Sequence, residues 1–295
     1  MSFPASRSSF KLTGGTSLSF VTVGDRRRPA VLLIHGQPTS ATSFRDIWSA
    51  LAEVAYVVAP DLPGFGHSDV LEPTTFDNFA LAVTELLEHL GVRERFIYLH
   101  DFGTPVGFRI AMDHPELVRG LIVQSANAHQ TGLGPQWKQT MEYWSHPNAE
   151  NEAAATAHLN LEGIRRTYVG GLPDELARKI SPAVWEEDWR VMQLPGRMAA
   201  QRALLQDYGR YVARFGAIAN YLRTYQPPAV MVRGRHDPFF DLAETLSWME
   251  DLPRMEAHIL DGAHFLLETH AAPAAALMRD FVERTLTLQQ TGERS

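Results

Sequence analysis

Short apolar runs alternate with longer segments of helical period along most of the chain, and this alternation limits its fold more than any other feature. Each run has the length of a buried strand, and the segments that follow have the amphipathic pattern of helices. Strands and helices that alternate in this way form a mostly parallel sheet with helices on both faces, an α/β architecture. The predicted strands are residues 18–23, 30–34, 55–59, 96–99, 121–124, 229–232 and 257–260. The predicted helices are residues 44–51, 76–90, 105–113, 242–251 and 273–286.

The alternation stops in the middle of the chain, where no strand-like run occurs and Trp, Tyr, Met and Arg are frequent. Turn-forming residues mark both ends of this segment, at residues 132–135 and 226–228. An α/β chain of 295 residues often forms one core with an inserted subdomain. We therefore predict a core in two parts, residues 1–130 and 226–295, with an inserted helical cap over residues 131–225.

The composition excludes several classes of function. The 27 basic and 34 acidic residues give a formal net charge of −7 and form no long block of one sign, so neither nucleic acid nor an anionic membrane is expected as a partner. The chain has no cysteine, which rules out disulfides, a thiolate nucleophile and cysteine-ligated metals. No apolar signal region opens the sequence, and no stretch reaches the roughly 20 apolar residues of a membrane span. We expect a cytoplasmic protein.

A sharp turn between a predicted strand and a predicted helix carries the first residue with a chemical role. Asp101 follows the buried run at residues 96–99, and Phe102 and Gly103 lead from it into the helix. This is the layout of a nucleophile elbow, in which the reactive side chain stands on a tight turn. The helix dipole and nearby N–H groups are expected to keep the Asp101 carboxylate ionised. The alternative is that Asp101 is only an N-cap.

Two further ionisable residues follow later strands. Asp237 comes after the run at residues 229–232, and His264 comes after the run at residues 257–260. Because ligand sites of open α/β sheets collect at the carboxyl ends of the strands, both side chains are expected near Asp101. The chain order of nucleophile, acid and histidine also fits a strand-to-helix elbow. The three residues predict covalent catalysis by Asp101, with His264 as general base and Asp237 as the residue that orients it.

The tight loop after residues 30–34 is the fourth part of the predicted site. It can aim a backbone N–H at the same cavity, so the N–H groups of Gln37 and Phe102 are predicted to form an oxyanion hole. His35 in this loop is assigned a structural role, because a histidine in such a turn is more often a hydrogen-bonding residue than a catalyst.

An aspartate at the nucleophile position changes the chemistry that a serine would perform there. A serine leaves an acyl enzyme and suits esters and amides, whereas a carboxylate that attacks an sp³ carbon becomes an alkyl ester itself. The favoured reactions are therefore the opening of an epoxide ring and the displacement of a halide. Neither reaction requires a metal or an organic cofactor, and no ligand spacing in the sequence suggests one.

Five motifs make the chain resemble the α/β-hydrolase superfamily over essentially its whole length, and specifically the branch of epoxide hydrolases and haloalkane dehalogenases. The motifs are HGQP at residues 35–38, DLPGFGHS at 61–68, HDFG at 100–103, GRHDP at 234–238 and GAHF at 262–265. The resemblance implies an α/β-hydrolase fold with an inserted helical cap. It also implies a triad with an aspartate as nucleophile and a cis peptide bond before Pro38.

The resemblance further implies residues that contact the substrate. Epoxide hydrolases use two cap tyrosines to hydrogen-bond the epoxide oxygen, and Tyr143 and Tyr208 look similar to them in position. Tyr211 competes with Tyr208, because the spacing to the next shared motif is shorter than in the family. Trp144, beside Tyr143, and Pro38 are expected to line the substrate pocket.

Haloalkane dehalogenases are the rival within the same branch. Leu99, two residues before Asp101, and the loop at residues 37–40 resemble theirs. Against this, those enzymes cradle the halide with a tryptophan N–H directly after the nucleophile, and Phe102 has no such donor. A tryptophan of the cap could supply the donor instead.

The sequence therefore predicts an epoxide hydrolase, which converts an epoxide to a vicinal diol, with haloalkane dehalogenation as the alternative. A non-catalytic ligand-binding protein of the same fold is a third interpretation. It predicts a missing base or acid, whereas His264 and Asp237 are both present. The expected partners are a small apolar organic substrate and water, with no cofactor, and a homodimer is left open.

Overall fold

The computed structural model describes residues 3–292, which fold around one mixed sheet of eight strands. The strands are β1 (Ser6–Lys11), β2 (Ser17–Val23), β3 (Ala30–Leu33), β4 (Tyr56–Pro60), β5 (Arg95–His100), β6 (Val118–Gln124), β7 (Ala229–Gly234) and β8 (Glu256–Leu260). Their order across the sheet is β1-β2-β4-β3-β5-β6-β7-β8. β2 is antiparallel to β1 and β4, and all other neighbours are parallel. The predicted mostly parallel sheet is confirmed.

β1 is the strand that the apolar pattern did not predict. Its sequence, SRSSFK, has no apolar run, and five of its six residues are exposed. It forms because it pairs along its whole length with β2, from Ser6 opposite Thr22 to Lys11 opposite Ser17. The seven strands predicted from apolar runs are all present, with ends that differ by a few residues.

The α-helices flank this sheet. They are α1 (Trp48–Ala52), α2 (Phe76–His89), α3 (Gly103–Asp113), α4 (Lys138–Ser145), α5 (Ala149–Ala155), α6 (Leu161–Val169), α7 (Asp174–Ala177), α8 (Pro182–Met192), α9 (Arg197–Val212), α10 (Phe215–Tyr225), α11 (Leu242–Asp251) and α12 (Leu267–Thr291). The segment predicted as a helix at residues 44–51 is a short 3₁₀ turn followed by α1. α12 begins earlier than predicted and bends at His270, since Pro273 in the next turn disturbs regular helix geometry.

Each face of the sheet has its own hydrophobic core. α1 and α12 pack on one face, while α2 and α3 pack on the other together with residues from the helices between β6 and β7. β3, β4 and β5 are buried along their whole length, which is why the sequence shows them as continuous apolar runs. Within residues 3–292, no helix combines the length and the apolar character needed to cross a membrane.

The topology brings several loops to one edge of the sheet. β3, β5, β7 and β8 run parallel, so the loops that follow them leave the sheet on the same side. The chain that follows β6 also leaves at this edge and forms α4 to α10 before it returns as β7. The division of the chain at residues 131 and 225 stays a prediction.

Candidate active site

Asp101 stands on the turn between β5 and α3 in a backbone conformation that few side chains adopt. Its φ is 46°, in the left-handed region. The tight turn depends on Gly103, because a Cβ at this position would lie 2.5 Å from the carbonyl oxygen of Ile34. α3 has Phe102 as its N-cap residue and no capping bond from a side chain. The Asp101 carboxylate is therefore not a helix cap, and the N-cap alternative is wrong.

The loop after β3 holds one oxygen of this carboxylate. The backbone N–H of Gln37 donates to Oδ1 of Asp101 at 2.7 Å, and the N–H of Phe102 is near enough to lower the pKa of this carboxyl group. Gly36 allows the close approach, since a Cβ on it would lie 2.4 Å from the Cβ of Asp101. The peptide bond between Gln37 and Pro38 is cis. The two backbone N–H groups predicted from the sequence thus both act on the Asp101 carboxylate.

His264 lies between two carboxylates. Its Nε2 is 3.7 Å from Oδ2 of Asp101, and its Nδ1 is 3.4 Å from Oδ2 of Asp237. Asp237 is fully buried, and its Oδ1 accepts hydrogen bonds from the N–H groups of Phe239 at 2.8 Å and Phe240 at 3.3 Å. The ring of His264 stacks on that of Phe240, with centroids 5.5 Å apart. The structure brings Asp101, His264 and Asp237 together.

Attraction between opposite charges outweighs burial in setting the pKa values of His264 and Asp237. Burial lowers the pKa of His264, but the charge and hydrogen bond of Asp237, together with the charge of Asp101, raise it above the ordinary 6.5. Burial raises the pKa of Asp237, but the charge of His264 and several hydrogen bonds bring it below the ordinary 3.8. Asp237 is therefore ionised at neutral pH. It accepts the Nδ1 proton of His264 and leaves Nε2 turned toward Asp101.

Asp101 behaves differently from the other two residues. Burial raises its pKa above the ordinary 3.8, and the charge of His264 and the N–H groups of Gln37 and Phe102 offset only part of this rise. From the sequence, the N–H groups and the helix dipole were expected to lower this pKa most, but desolvation has the larger effect in the folded chain. The Asp101 side chain is 14% exposed, so its carboxylate has little hydration to lose before it attacks a substrate.

A cavity of about 520 Å³ is lined by two residues of this trio, Asp101 and His264. Asp101, Phe102, His264, Gln37 and Pro38 form part of its wall. Much of the remaining wall comes from the segment between β6 and β7, including Gln136, Trp137, Gln139, Thr140, Ala154, Ala155, Ala157, His158, Leu159, Gly163, Ile164, Arg166, Thr167, Gly170, Gly171, Met192 and Leu205. The volume is in the range of sites that bind small organic molecules.

Of the two residues that were expected in the substrate pocket, only one lies there. Pro38 lines the cavity, and Trp144 does not. The indole N–H of Trp144 donates to the carbonyl oxygen of Leu205 at 2.8 Å, and its ring stacks on Tyr208. The tryptophan that does line the cavity is Trp137. The prediction that Trp144 lines the pocket is therefore wrong, because its side chain packs α4 against α9.

Neither of the two expected cap tyrosines lines the cavity. Tyr143 is buried in the larger hydrophobic core, at 6% exposure. Tyr208 is fully buried, and its ring stacks on those of Phe102 and Trp137 with centroids 5.6 and 4.9 Å apart. Phe102 and Trp137, on which the Tyr208 ring stacks, both line the cavity.

The hydroxyl groups of Tyr208 and Tyr211 both interact with Asn127. The Tyr208 hydroxyl lies 3.4 Å from Nδ2 of Asn127, and the Tyr211 hydroxyl donates to the carbonyl oxygen of the same residue. Burial raises the pKa of Tyr208, and the charge of Asp101 raises it further. Of Tyr143 and Tyr208, only Tyr208 has a pKa that the charge of Asp101 raises, although its ring lies behind the cavity wall.

The sequence did not predict the polar side chains that the segment between β6 and β7 contributes to the cavity, among them His158 and Arg166. Both lie in a region where the sequence shows only helical period and no motif. A helical pattern predicts which residues face a core, but it does not say which of them face an internal cavity. We see no sequence signal that would have identified these two.

Three of the known proteins similar to this chain are named as hydrolases. An uncharacterized hydrolase of Saccharomyces cerevisiae is 30% identical over 267 residues, which cover 88% of this chain and 91% of that protein. A haloalkane dehalogenase of Mycobacterium marinum is 31% identical over 213 residues, 68% of this chain and 71% of the relative. A soluble epoxide hydrolase of Corynebacterium sp. is 40% identical over 115 residues, 38% of this chain and 39% of the relative.

The family comparison agrees with the geometry. The model of the alpha/beta hydrolase fold family matches residues 29–271, from the start of β3 to the beginning of α12. The matched region contains the elbow with Asp101 and the loops that carry Asp237 and His264. The chain therefore belongs to the α/β-hydrolase fold family and is a hydrolase.

Proposed function

We propose that this hydrolase opens epoxides to vicinal diols through a covalent ester on Asp101. One observation carries the proposal: the N–H of Gln37 donates to Oδ1 of the Asp101 side chain itself at 2.7 Å. With a serine nucleophile, an oxyanion hole binds the substrate's carbonyl oxygen. Here the same kind of donor binds the nucleophile's own oxygen, which suits a reaction whose second step takes place at the Asp101 carboxyl carbon.

In the first step, Oδ2 of Asp101 attacks an epoxide carbon, and the ring C–O bond breaks. The ring oxygen takes a proton from a donor in the site, which leaves a hydroxyalkyl ester on Asp101. In the second step, Nε2 of His264 takes a proton from water, and the resulting hydroxide attacks the ester carbonyl carbon. Oδ1 carries the negative charge of the tetrahedral intermediate beside the N–H groups of Gln37 and Phe102. Collapse releases the diol, whose second hydroxyl receives its proton from His264. The Asp101 carboxyl group then loses the remaining proton of the water, and this proton restores the donor that was used in the first step.

Three side chains are candidates for the donor to the epoxide oxygen. Tyr143 and Tyr208 are the residues implied by family resemblance, and the charge of Asp101 acts on Tyr208. His158 lines the cavity and can offer a ring N–H to the epoxide oxygen. We keep all three as candidates, to be separated by the variants Tyr143→Phe, Tyr208→Phe and His158→Gln. The variant that lacks the donor loses epoxide turnover, while the other two keep it.

Haloalkane dehalogenation is the second candidate, favoured by the relative from Mycobacterium marinum. A departing halide needs N–H donors in the cavity. Phe102 offers none, and the indole N–H of Trp137, which lines the cavity, is already donated to the carbonyl oxygen of Phe239 at 3.1 Å. The Trp144 N–H is bonded to Leu205 in the same way. Because both indole N–H groups are already bonded within the protein, an epoxide substrate is favoured over a haloalkane.

We also propose that residues 131–225 act as a cap on the core formed by residues 1–130 and 226–295. Support comes from the cavity wall, to which both parts contribute. A non-catalytic binding role would leave the Asp101, His264 and Asp237 arrangement without a use. The cytoplasmic location and the apolar character of the substrate remain predictions.

The deciding experiment incubates the enzyme separately with an aryl epoxide and a 1-haloalkane and measures diol and halide. We expect diol from the wild type and none from Asp101→Ala. Halide release without diol formation would show that haloalkane dehalogenation, and not epoxide hydrolysis, is the activity. Binding of either compound without any product would favour the non-catalytic role.

A further inference from the structure

We propose that Arg166 binds an anionic group of the substrate, so that the enzyme prefers epoxides that carry a carboxylate at some distance from the ring. This inference rests on the proposed function and specifies its substrate class. The cavity contains Asp101 and His264 in its interior and Arg166, which is exposed, at its rim. A substrate in the cavity can therefore contact both the nucleophile and the guanidinium.

Arg166 has no carboxylate partner among the described residues, in contrast to its neighbour on the same helix. Arg165 also lies on α6, and its Nε donates to Glu162 at 2.9 Å. Arg165 does not line the cavity, whereas Arg166 does. Of these adjacent arginines, the one at the cavity is thus the one whose charge is not neutralised by an ion pair.

The charges around the cavity favour an anion at the rim and disfavour one near the nucleophile. Asp101 is the only carboxylate among the residues of the cavity wall, and it would repel a second negative charge at short range. Arg166 is the only arginine or lysine of that wall. A substrate carboxylate is therefore stabilised only where it reaches Arg166. When the carboxylate is bound there, the other end of the substrate can place its epoxide at Asp101.

Neutral hydrogen-bonding groups accompany Arg166 in the wall. His158 lies close enough that the charge of Arg166, after burial, helps to lower the pKa of its imidazole. Thr140, Gln136 and Gln139 are further polar residues of the wall. A carboxylate bound by Arg166 can therefore keep additional hydrogen bonds as it leaves water.

The test compares a short ω-epoxyalkanoate with its primary amide, which has the same shape without the charge. For Arg166→Gln, we expect KM for the epoxyalkanoate to rise about fivefold, since the guanidinium is solvent-exposed, with KM for the amide and both kcat values nearly unchanged. Arg165→Gln, the matched control on the same helix, should leave both substrates unaffected. Salt at about 0.5 M should raise KM for the epoxyalkanoate in the wild type only. Equal effects of Arg166→Gln on both substrates would overturn the inference.

A binding measurement keeps this inference separate from the proposed function. The dihydroxyalkanoate product and its amide are titrated into the wild type and into Arg166→Gln by calorimetry. We expect the wild type to bind the acid more tightly than the amide and the variant to lose this preference. If neither epoxide is converted, the proposed function fails, while the calorimetric preference still decides whether Arg166 binds anions. Equal affinity of the wild type for acid and amide would contradict the anion site.

Discussion

Oδ1 and Oδ2 of Asp101 have different neighbours, and this asymmetry gives each oxygen a separate task. Oδ1 accepts the N–H of Gln37 at 2.7 Å, while Oδ2 faces Nε2 of His264 at 3.7 Å. In the proposed reaction Oδ2 forms the bond to the substrate, because Oδ1 is already engaged by a backbone donor. The distance between His264 and Oδ2 marks the region where the hydrolytic water would be activated.

Replacing His264 by Gln should separate the two chemical steps. Asp101 keeps its position and can still attack an epoxide, but no base is left to activate water against the ester. We expect a covalent adduct of substrate mass on Asp101, detected by mass spectrometry of the intact protein and of its peptides, with turnover reduced by at least about a hundredfold.

Asp101→Ala is the control, and it should show no adduct. If His264→Gln forms no adduct with an epoxide that the wild type converts, covalent catalysis by Asp101 is wrong.

At the scale of elements, the elbow depends on how closely β5, α3 and the loop after β3 approach one another. Gly103 and Gly107 lie on the face of α3 that meets the sheet. A Cβ on Gly107 would lie 2.3 Å from Cδ2 of Leu99, so this glycine makes room for the leucine that the sequence places two residues before Asp101. The bulk of Leu99 is thus accommodated by α3.

Substitution of Gly103 by Ala should destabilise the elbow. The added Cβ would lie 2.5 and 2.7 Å from the backbone oxygens of Ile34 and His35, and backbone atoms cannot yield as a flexible side chain can. We expect a loss of about 2 kcal/mol or more in the free energy of unfolding, measured in urea, together with reduced activity.

The matched control is Gly216→Ala in α10, where no heavy atom lies within 4 Å of the added Cβ apart from the chain neighbours and the helix's own backbone. Because alanine favours helix formation, this variant should be as stable as the wild type or more stable by about 0.5 kcal/mol. Equal stability of the two variants would show that the close approach at Gly103 does not restrict the elbow.

At the scale of the whole molecule, a buried ionic cluster connects the start of the segment between β6 and β7 with α11. His129 follows β6, and its two ring nitrogens each lie 3.1 Å from a carboxylate, Glu244 and Asp251, both on α11. Asp251 also pairs with Arg223 of α10 at 2.7 Å. The cluster fixes both ends of the proposed cap to one core helix.

The stability of the protein should depend on the protonation of His129. Burial lowers the pKa of this imidazole, but the hydrogen bonds and charges of Glu244 and Asp251 outweigh burial and raise it above the ordinary 6.5. A raised pKa in the folded state gives a stabilisation that is complete below the unfolded value. It is lost as pH rises from about 6.5 through the folded pKa.

We expect His129→Gln to lower the free energy of unfolding by about 2 kcal/mol near pH 6, because two buried carboxylates lose one charged partner while Asp251 keeps Arg223. The difference from the wild type should shrink as the pH rises, as measured by urea unfolding at several pH values. His146→Gln, which removes an exposed pair with Glu142, should change little. A loss that is the same at every pH would show that the charge of His129 plays no part.

The core of the candidate site followed from the sequence because each of its parts is encoded locally. Asp101 and Asp237 follow the buried strands β5 and β7, and His264 follows the partly exposed edge strand β8. Parallel strands place their carboxyl ends at one edge of the sheet. The fold class followed from the same alternation of runs and helices. β1 escaped prediction because its formation depends on pairing with β2 and not on its own hydrophobic pattern.

The sequence by itself determined seven of the eight strands of the described sheet, the elbow and the three residues that meet beside it, since strand patterns and motifs are short-range properties of the chain. Only the tertiary structure decided which side chains between β6 and β7 reach the cavity. Trp137, His158 and Arg166 line it, while Trp144 and Tyr208 pack behind it, because the rotation of each helix in this segment is set by contacts with distant elements. The rise in the pKa of Asp101 was decided in the same way, since burial exists only after the chain has folded.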